Sequence, residues 1–373
     1  MKKIGILTYH RVFNFGSLLQ TYALQKYLED KGQIVEVIDY YPERLQKKRL
    51  LFHINPKWSK PTWKMIIHLI PAVITRLMGY HMMDIFLAEY VHLTDKVYET
   101  EEDLKKNRPI YDIYLNGSDQ VWNVETADGV VDKVFFMEFL PEECVRAAYA
   151  GSFGKDSFSD KSLMEIKKYL LKYSAISVRE SSGLRILDEI GIKHGQWVLD
   201  PTFLLKPEQW KEIQAEVKLP KRYLLVYNLN RNSRITKLAQ RIANEKGLQI
   251  VNFAHSFVFI KKAKNIIYPT PNLFITLFEN AEYVVTDSFH GTAFSINFGR
   301  QFICIPAPRF NSRLNSILEL IGEPDRLLKE KDDFEIINRK IDYVKVKKIL
   351  ENERQKADKF IEEIINLQGE NNA

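Results

Sequence analysis

Short apolar runs alternate along the chain with stretches of helical spacing, a pattern that predicts an α/β protein. Residues 3–8 read as an apolar strand, Asn14-Phe-Gly-Ser17 as a turn, and 18–31 as a helix with Leu19, Tyr22, Ala23, Lys26 and Tyr27 on its repeat. Gly32 caps that helix and 34–39 is the next strand, which completes a βαβ unit with parallel pairing. After an insertion at about 41–100 the pattern resumes with strands at 111–115, 146–150, 175–178 and 196–199. Each ends in a polar loop: Asn116-Gly-Ser-Asp119, Gly151-Ser-Phe-Gly154, Arg179-Glu180 and Asp200-Pro201.

The second half restarts the same grammar. Strands are expected at 222–227, 249–253, 283–286 and 301–306, with helices at 233–246 (capped by Gly247), 273–280 and from the 287–291 loop through 298. Lys206-Pro207 and Leu219-Pro220 bracket a hinge, and 341–368 is one long amphipathic helix. The expected architecture is α/β: two doubly wound, Rossmann-like domains, 1–205 and 206–373, facing across a cleft. Ligands of such sheets bind beyond the carboxyl ends of the strands.

The length of 373 residues suits two domains, and 45% hydrophobic with 27% charged residues suits a soluble protein. The formal charge of +6 is local. Residues 41–80 hold eight basic residues and one acid, Glu43, so this window carries +7 and the remainder −1. Trp58, Trp63, Met65, Ile66, Ile67, Leu69 and Ile70 share the window. Basic and bulky apolar residues on one helical segment match either a packed insertion with solvated lysines or a surface for an anionic membrane face. No zinc-finger spacing or aromatic RNA-binding signature points to nucleic acid. The greasiest run, 65–74, is broken by His68 and Pro71 and is too short to span a bilayer. No secretory signal is apparent. The expectation is a cytoplasmic protein whose residues 44–86 are either such a packed insertion or a peripheral contact with an anionic membrane. Cys144 and Cys304 read as buried thiols rather than a bridge.

The chemistry-bearing residues cluster at strand ends. In Asp287-Ser-Phe-His290-Gly291-Thr292, an acid, two hydroxyls and an imidazole arrive at a helix start, whose free amides attract anions. His290 suits a general acid with Asp287 to orient it, and Ser288 suits either a ligand or a helix cap. Asn116, Ser118 and Asp119 form a second cluster, and Asn14, Gly16 and Ser17 a weak phosphate-turn candidate. Arg179-Glu180 is either an internal ion pair or an anion clamp, and Arg309 and Arg313 share a face if helical. No metal motif, nucleotide fingerprint or GxSxG elbow is present, so neither metal nor cofactor is expected.

Taken in order, Asn14-Phe-Gly-Ser17 with Gln20, Asn116 to Trp122, Tyr149 to Gly154, Ser177-Val-Arg-Glu180, Asp200 to Leu205 and Thr286 to Ile296 resemble the polysaccharide pyruvyl transferase family. The resemblance implies a fold similar to GT-B glycosyltransferases. It further implies transfer of pyruvate from phosphoenolpyruvate to a sugar of a cell-surface polysaccharide precursor, lipid- or nucleotide-linked, as a cyclic ketal. His290 then matches the acid that protonates the enol methylene, and Arg179 clamps the donor. The Gly291 and Thr292 amides and Ser288 hold phosphate. Asn14, Gly16, Ser17, Asn116, Ser118 and Asp119 face the acceptor. Family members carry Arg-Leu-His-Gly where this chain has Ser288-Phe-His-Gly, which leaves Arg309 or Arg313 as the replacement, or a different donor. A nucleotide-sugar glycosyltransferase and a non-catalytic glycan-binding protein are the alternatives.

Overall fold

The computed structural model describes residues 1–46, 63–124, 131–254, 259–267, 270–307, 311–329 and 334–368. Strands β1 (Lys3–Leu7), β2 (Ile34–Val37), β3 (Ile113–Asn116), β4 (Arg146–Gly151), β5 (Ala175–Val178) and β6 (Gln196–Trp197) form one sheet in the order β2-β1-β3-β4-β5-β6. A second sheet takes β7 (Tyr223–Tyr227), β8 (Gln249–Ala254), β9 (Lys264–Ile267), β10 (Tyr283–Thr286) and β11 (Gln301–Cys304) in the order β11-β10-β7-β8-β9. All these pairings are parallel, and the central strands are the near-continuous apolar runs, buried on both faces, that such sheets show.

In both sheets the order reverses beside the first strand of the half. Those switch points, β1 against β3 and β7 against β10, bring Leu7 level with Asn116 and Tyr227 level with Thr286. The loops leaving these four strands therefore collect at two crevices.

Helices α1 (Phe15–Asp30), α2 (Trp63–Tyr90), α3 (Glu101–Lys106), α4 (Asp160–Leu170) and α5 (Ser181–Glu189) belong to the first half. Helices α6 (Pro207–Lys211), α7 (Ser233–Lys246), α8 (Pro271–Asn280), α9 (Phe289–Asn297), α10 (Ser312–Leu320) and α11 (Tyr343–Ile365) follow. One expectation is corrected here. Asn14-Phe-Gly-Ser17 is a helix start rather than a turn, because the Asn14 side chain caps α1 by accepting from the Gly16 amide. The helix of the insertion runs unbroken past Pro71 to Tyr90. Strand β9, half-exposed and without an apolar run, escapes the pattern entirely.

One apolar cluster joins the two halves. Phe15 of α1 lies 5.4 Å from Phe253 and 6.0 Å from Phe274, and Tyr22 lies 5.8 Å from Trp210, which stacks edge-on to Phe294. Helix α11 crosses back onto the first half. Its Phe360 meets Tyr149, and Asp358 accepts from the Tyr27 hydroxyl and pairs with Lys31. Cys304 is buried and Cys144 only partly so, and both are free thiols.

Candidate functional site

The seam between the halves passes through His290. Its ring lies so close to Gly16 that a Cβ there would stand 1.9 Å from Nδ1, so only glycine permits the contact. Gly16 is in the first turn of α1 and His290 in the first turn of α9. Two helix N-termini, one from each half, thus meet, and each carries the partial positive charge of its helix dipole although its first amides are capped.

Under this contact the first half contributes a charged network. The loop after β3 holds Asp119 at φ 80°, a left-handed conformation that asparagine and aspartate tolerate better than most residues. Asp119 accepts from the Ser17 hydroxyl, from the Gln120 amide and, at 3.0 Å, from Arg179. Arg179 also donates at 2.8 Å to Asp200 and at 3.2 Å to the Ser118 hydroxyl, which itself donates to Asp200. The other Asp200 oxygen accepts from the Thr202 amide and hydroxyl. Asp200, at the end of an expected strand, is therefore the hinge of the network, with its carboxylate 3.9 Å from Nε2 of His290.

Burial is the largest single influence on each acid and opposes its charge, and for Asp119 and Asp200 it is outweighed only by Arg179 and the other neighbours together. Asp119 is held at about 2 by Arg179, His290, Ser17 and Arg313 together, and Asp200 is also lowered. Glu180 differs: burial raises its pKa despite nearby arginines. One of its oxygens orders the loop after β4 by accepting from the Ser152 hydroxyl and the Phe153 amide.

The second half supplies the groups that are not neutralised. Burial, assisted by Arg179 and Arg313 and opposed by Asp200 and Asp119, pushes His290 down to about 4, so its ring is neutral at pH 7. Its Nε2 has no hydrogen-bond partner among the described residues. Arg313, on the first turn of α10, forms no ion pair among them, and burial with the like charge of Arg179 lowers it to about 10. Both guanidinium groups lie over the Phe289 ring, Arg179 at 5.2 Å and Arg313 at 5.5 Å from its centroid.

Several expected roles are not what the contacts give. Asp287 does not orient His290, since its carboxylate accepts from the Leu229 and Asn230 amides and the Asn230 side chain. Ser288 is the cap of α9 and takes the Gly291 amide, while the Thr292 amide bonds to the Ser288 carbonyl. Neither amide is open to a phosphate. Asn116 is wholly internal, donating to Leu7 and accepting from the Tyr173 hydroxyl. Arg179 is clamped by its own acids rather than free to clamp a donor. Asn14, Gly16, Ser17, Ser118, Asp119, Arg179, His290 and Arg313 do converge. Arg309 lies outside the described residues. Phe289 was missed, because its two arginine partners are far from it in sequence and only the fold brings them to its ring.

The chain is similar in fold to the spinosyn rhamnosyltransferase SpnG, at 14% identity over 98% of this chain and 100% of that one, with a TM-score of 0.50. The UDP-GlcNAc 2-epimerase from Neisseria meningitidis aligns over 99% of this chain and 95% of its own at 10% identity, with a TM-score of 0.46. No functionally curated protein matches the sequence significantly. The architecture is the two-domain α/β arrangement of GT-B enzymes. The model of the polysaccharide pyruvyl transferase family matches residues 14–307, a span that includes the Asn14 cap, the Asp119 and Arg179 network and His290. The chain belongs to the polysaccharide pyruvyl transferase family.

Proposed function

We propose that this protein transfers pyruvate from phosphoenolpyruvate to a sugar of a cell-surface polysaccharide precursor, forming a cyclic ketal. The observation that carries the reading is the meeting of two helix N-termini at His290, beside the unpaired guanidinium of Arg313. Helix ends and a free guanidinium both favour negative charge, and the donor brings a carboxylate and a phosphate on one small molecule.

In this reading Arg313, held over Phe289, meets the donor's anion. His290 is the general acid and Nε2 holds the proton it delivers to the enol methylene carbon. Because the free ring is neutral, that proton enters with the donor, whose charge offsets the two arginines. C2 of the donor then becomes oxocarbenium-like. One sugar hydroxyl attacks it, the C2–O bond to phosphate breaks, and a second hydroxyl closes the ketal. Of the two hydroxyl protons released, one restores the acid and one leaves on the phosphate. Asn14, Ser17 and Asp119 contact the acceptor. Asp119, with its pKa so low, accepts hydrogen bonds from a sugar rather than removing a proton. The 1–205 part thus serves the acceptor and the 206–373 part the donor. The acceptor, on a lipid or a nucleotide, is met on the cytoplasmic side.

Calorimetry with phosphoenolpyruvate and a panel of nucleotide sugars tests the reading. Binding of phosphoenolpyruvate alone, weakened by Arg313→Gln, is the expected result. Binding of nucleotide sugars alone would replace it with a GT-B glycosyltransferase. Glycan binding without turnover of any donor would leave a non-catalytic assembly role.

A further inference from the structure

Buried polar atoms are as a rule hydrogen-bonded, so those left over point to what a site receives. Among the described residues, Arg179 Nε and Glu180 Oε2, just before α5, and Ser312 Oγ and Arg313 Nε, in the first turn of α10, are buried without a partner. The two helix starts belong to different halves and touch. The Ser181 amide and hydroxyl reach the Ser316 hydroxyl at 3.1 and 3.0 Å. Glu180 is wholly buried at this junction, and its side chain does not cap α5.

Its carboxyl has two unlike oxygens. Oε1 accepts from the Ser152 hydroxyl at 2.8 Å and from the Phe153 and Gly154 amides at 3.0 and 3.4 Å. Oε2 has no donor, and Arg179 Nε stands 3.9 Å from it, beyond hydrogen-bond range. One oxygen is thereby anchored and the other is left to carry a proton. Burial raises the pKa of Glu180 against the pull of Arg179 and Arg313, whereas Asp119 and Asp200 beside the same Arg179 are lowered. Carboxyl groups driven apart in this way take different parts in proton transfer. Once ionised, Glu180 has two arginines to offset its charge, so both of its forms are provided for.

The transfer proposed above moves protons at two places. His290 serves the enol methylene carbon, and the phosphate leaving C2 is the second place where a proton lowers the barrier. We propose that Glu180 is the second acid of this reaction, its Oε2 giving a proton to the bridging oxygen of the donor phosphate as the C2–O bond breaks. The bonding electron pair stays on that oxygen, and the carboxylate left behind faces Arg179 and Arg313. Glu180 then takes a proton from the second sugar hydroxyl as that oxygen closes the ketal on C2, while the first hydroxyl restores His290. The phosphate departs with one proton and both acids end as they began. The assignment rests on phosphoenolpyruvate being the donor and on Arg313 meeting its anion.

The test separates the two proton transfers. Parent, Glu180→Gln and His290→Gln chains are incubated in deuterated buffer with phosphoenolpyruvate and a panel of methyl hexopyranosides as acceptors. Phosphate release is measured beside the entry of deuterium into the methylene of the remaining phosphoenolpyruvate. Glutamine keeps an oxygen for Ser152, Phe153 and Gly154 but has no acidic proton to give. Glu180→Gln is therefore expected to release phosphate at least about a hundredfold more slowly. Deuterium entry, phosphoenolpyruvate affinity by calorimetry and the thermal melt should stay near those of the parent. His290→Gln should lose deuterium entry and release together. If Glu180→Gln does not fold, Glu180→Asp, which draws the acid back by a methylene, should again slow release and spare exchange. Release at the parental rate in Glu180→Gln, or joint loss of exchange and release as a purely loop-ordering role would give, overturns the assignment. A parent chain that binds nucleotide sugars and no phosphoenolpyruvate takes down the donor reading itself. A bound donor whose release ignores the substitution removes Glu180 alone.

Discussion

Two arginines lie against one phenylalanine ring, and they have opposite circumstances. Arg179, from the first half, is enclosed by Asp119, Asp200 and the Ser118 hydroxyl, so its charge is neutralised before any ligand arrives. Arg313, from the second half, is left without an ion pair among the described residues, next to a neutral His290. The first is a positioning residue that fixes three loops to one another. The second carries the site's excess positive charge. Proximity to the centre and a guanidinium group do not by themselves make an anion clamp; the state of the neighbouring carboxylates decides it.

The contrast is tested most severely at His290. His290→Gln is expected to lower pyruvyl transfer by about 10²–10⁴-fold while the thermal melt stays near that of the parent. Retained transfer in that variant would remove the acid from the proposal. Next comes Arg179→Met, which leaves buried Asp119 and Asp200 unpaired and should destabilise folding by about 3–5 kcal/mol in denaturant titration. If it instead left stability intact and abolished only donor binding, the roles assigned to the two arginines would be exchanged.

The third prediction concerns pH. The unfolded chain takes up a proton on His290 below pH about 6.5, whereas the folded ring resists protonation until about 4. The unfolded state binds more protons in that window, so stability falls as pH drops from 6.5 to 4 and is level above it. The span is at most about 3 kcal/mol, and a chevron or melt series on His290→Gln should lack it. Asp119, lowered to about 2, loses its contribution in a separate window, as pH falls below about 3.8.

Arg313→Gln is the milder counterpart of Arg179→Met. It should weaken phosphoenolpyruvate about ten- to a hundredfold by calorimetry, with folding stability unchanged or slightly raised, because no ion pair is broken. Loss of stability comparable to that of Arg179→Met would show that Arg313 is structural. The smallest effect lies far from the site. Lys31→Gln removes the half-buried end of the pair with Asp358 and should change stability by about 0.2–1 kcal/mol and transfer not at all.

Sequence legibility follows the same divide. The sheets were readable because both faces of each strand are covered, so Ile4, Ile6, Leu115, Val226 and Val285 stand in continuous apolar runs between loop residues. Strand β9 was not, because its side chains Lys264 to Ile267 are exposed or half-buried and carry no such run. At the site, His290 and Asp119 were legible from strand-end position. The partnering of Arg179 was not. Whether an arginine after a strand meets two acids or a ligand depends on residues 60 positions upstream and 21 downstream, and on which loops the switch point brings together. Asp287 misled for a local reason. An acid three residues before a histidine invites pairing, yet the helix cap turns it toward the loop after β7.

Helix α11 has a consequence for how the protein is made. Its Phe360 covers Tyr149 of β4, and its polar side chains hold Tyr27 and Lys31 of α1. All strands of the first sheet have left the ribosome by residue 197, but the helix that closes this face is synthesised only after the whole second sheet. At 5–20 residues per second that interval is roughly 10–30 s. Through it the first half lacks the cover that Phe360 gives Tyr149, so this part of the joint between the halves forms last.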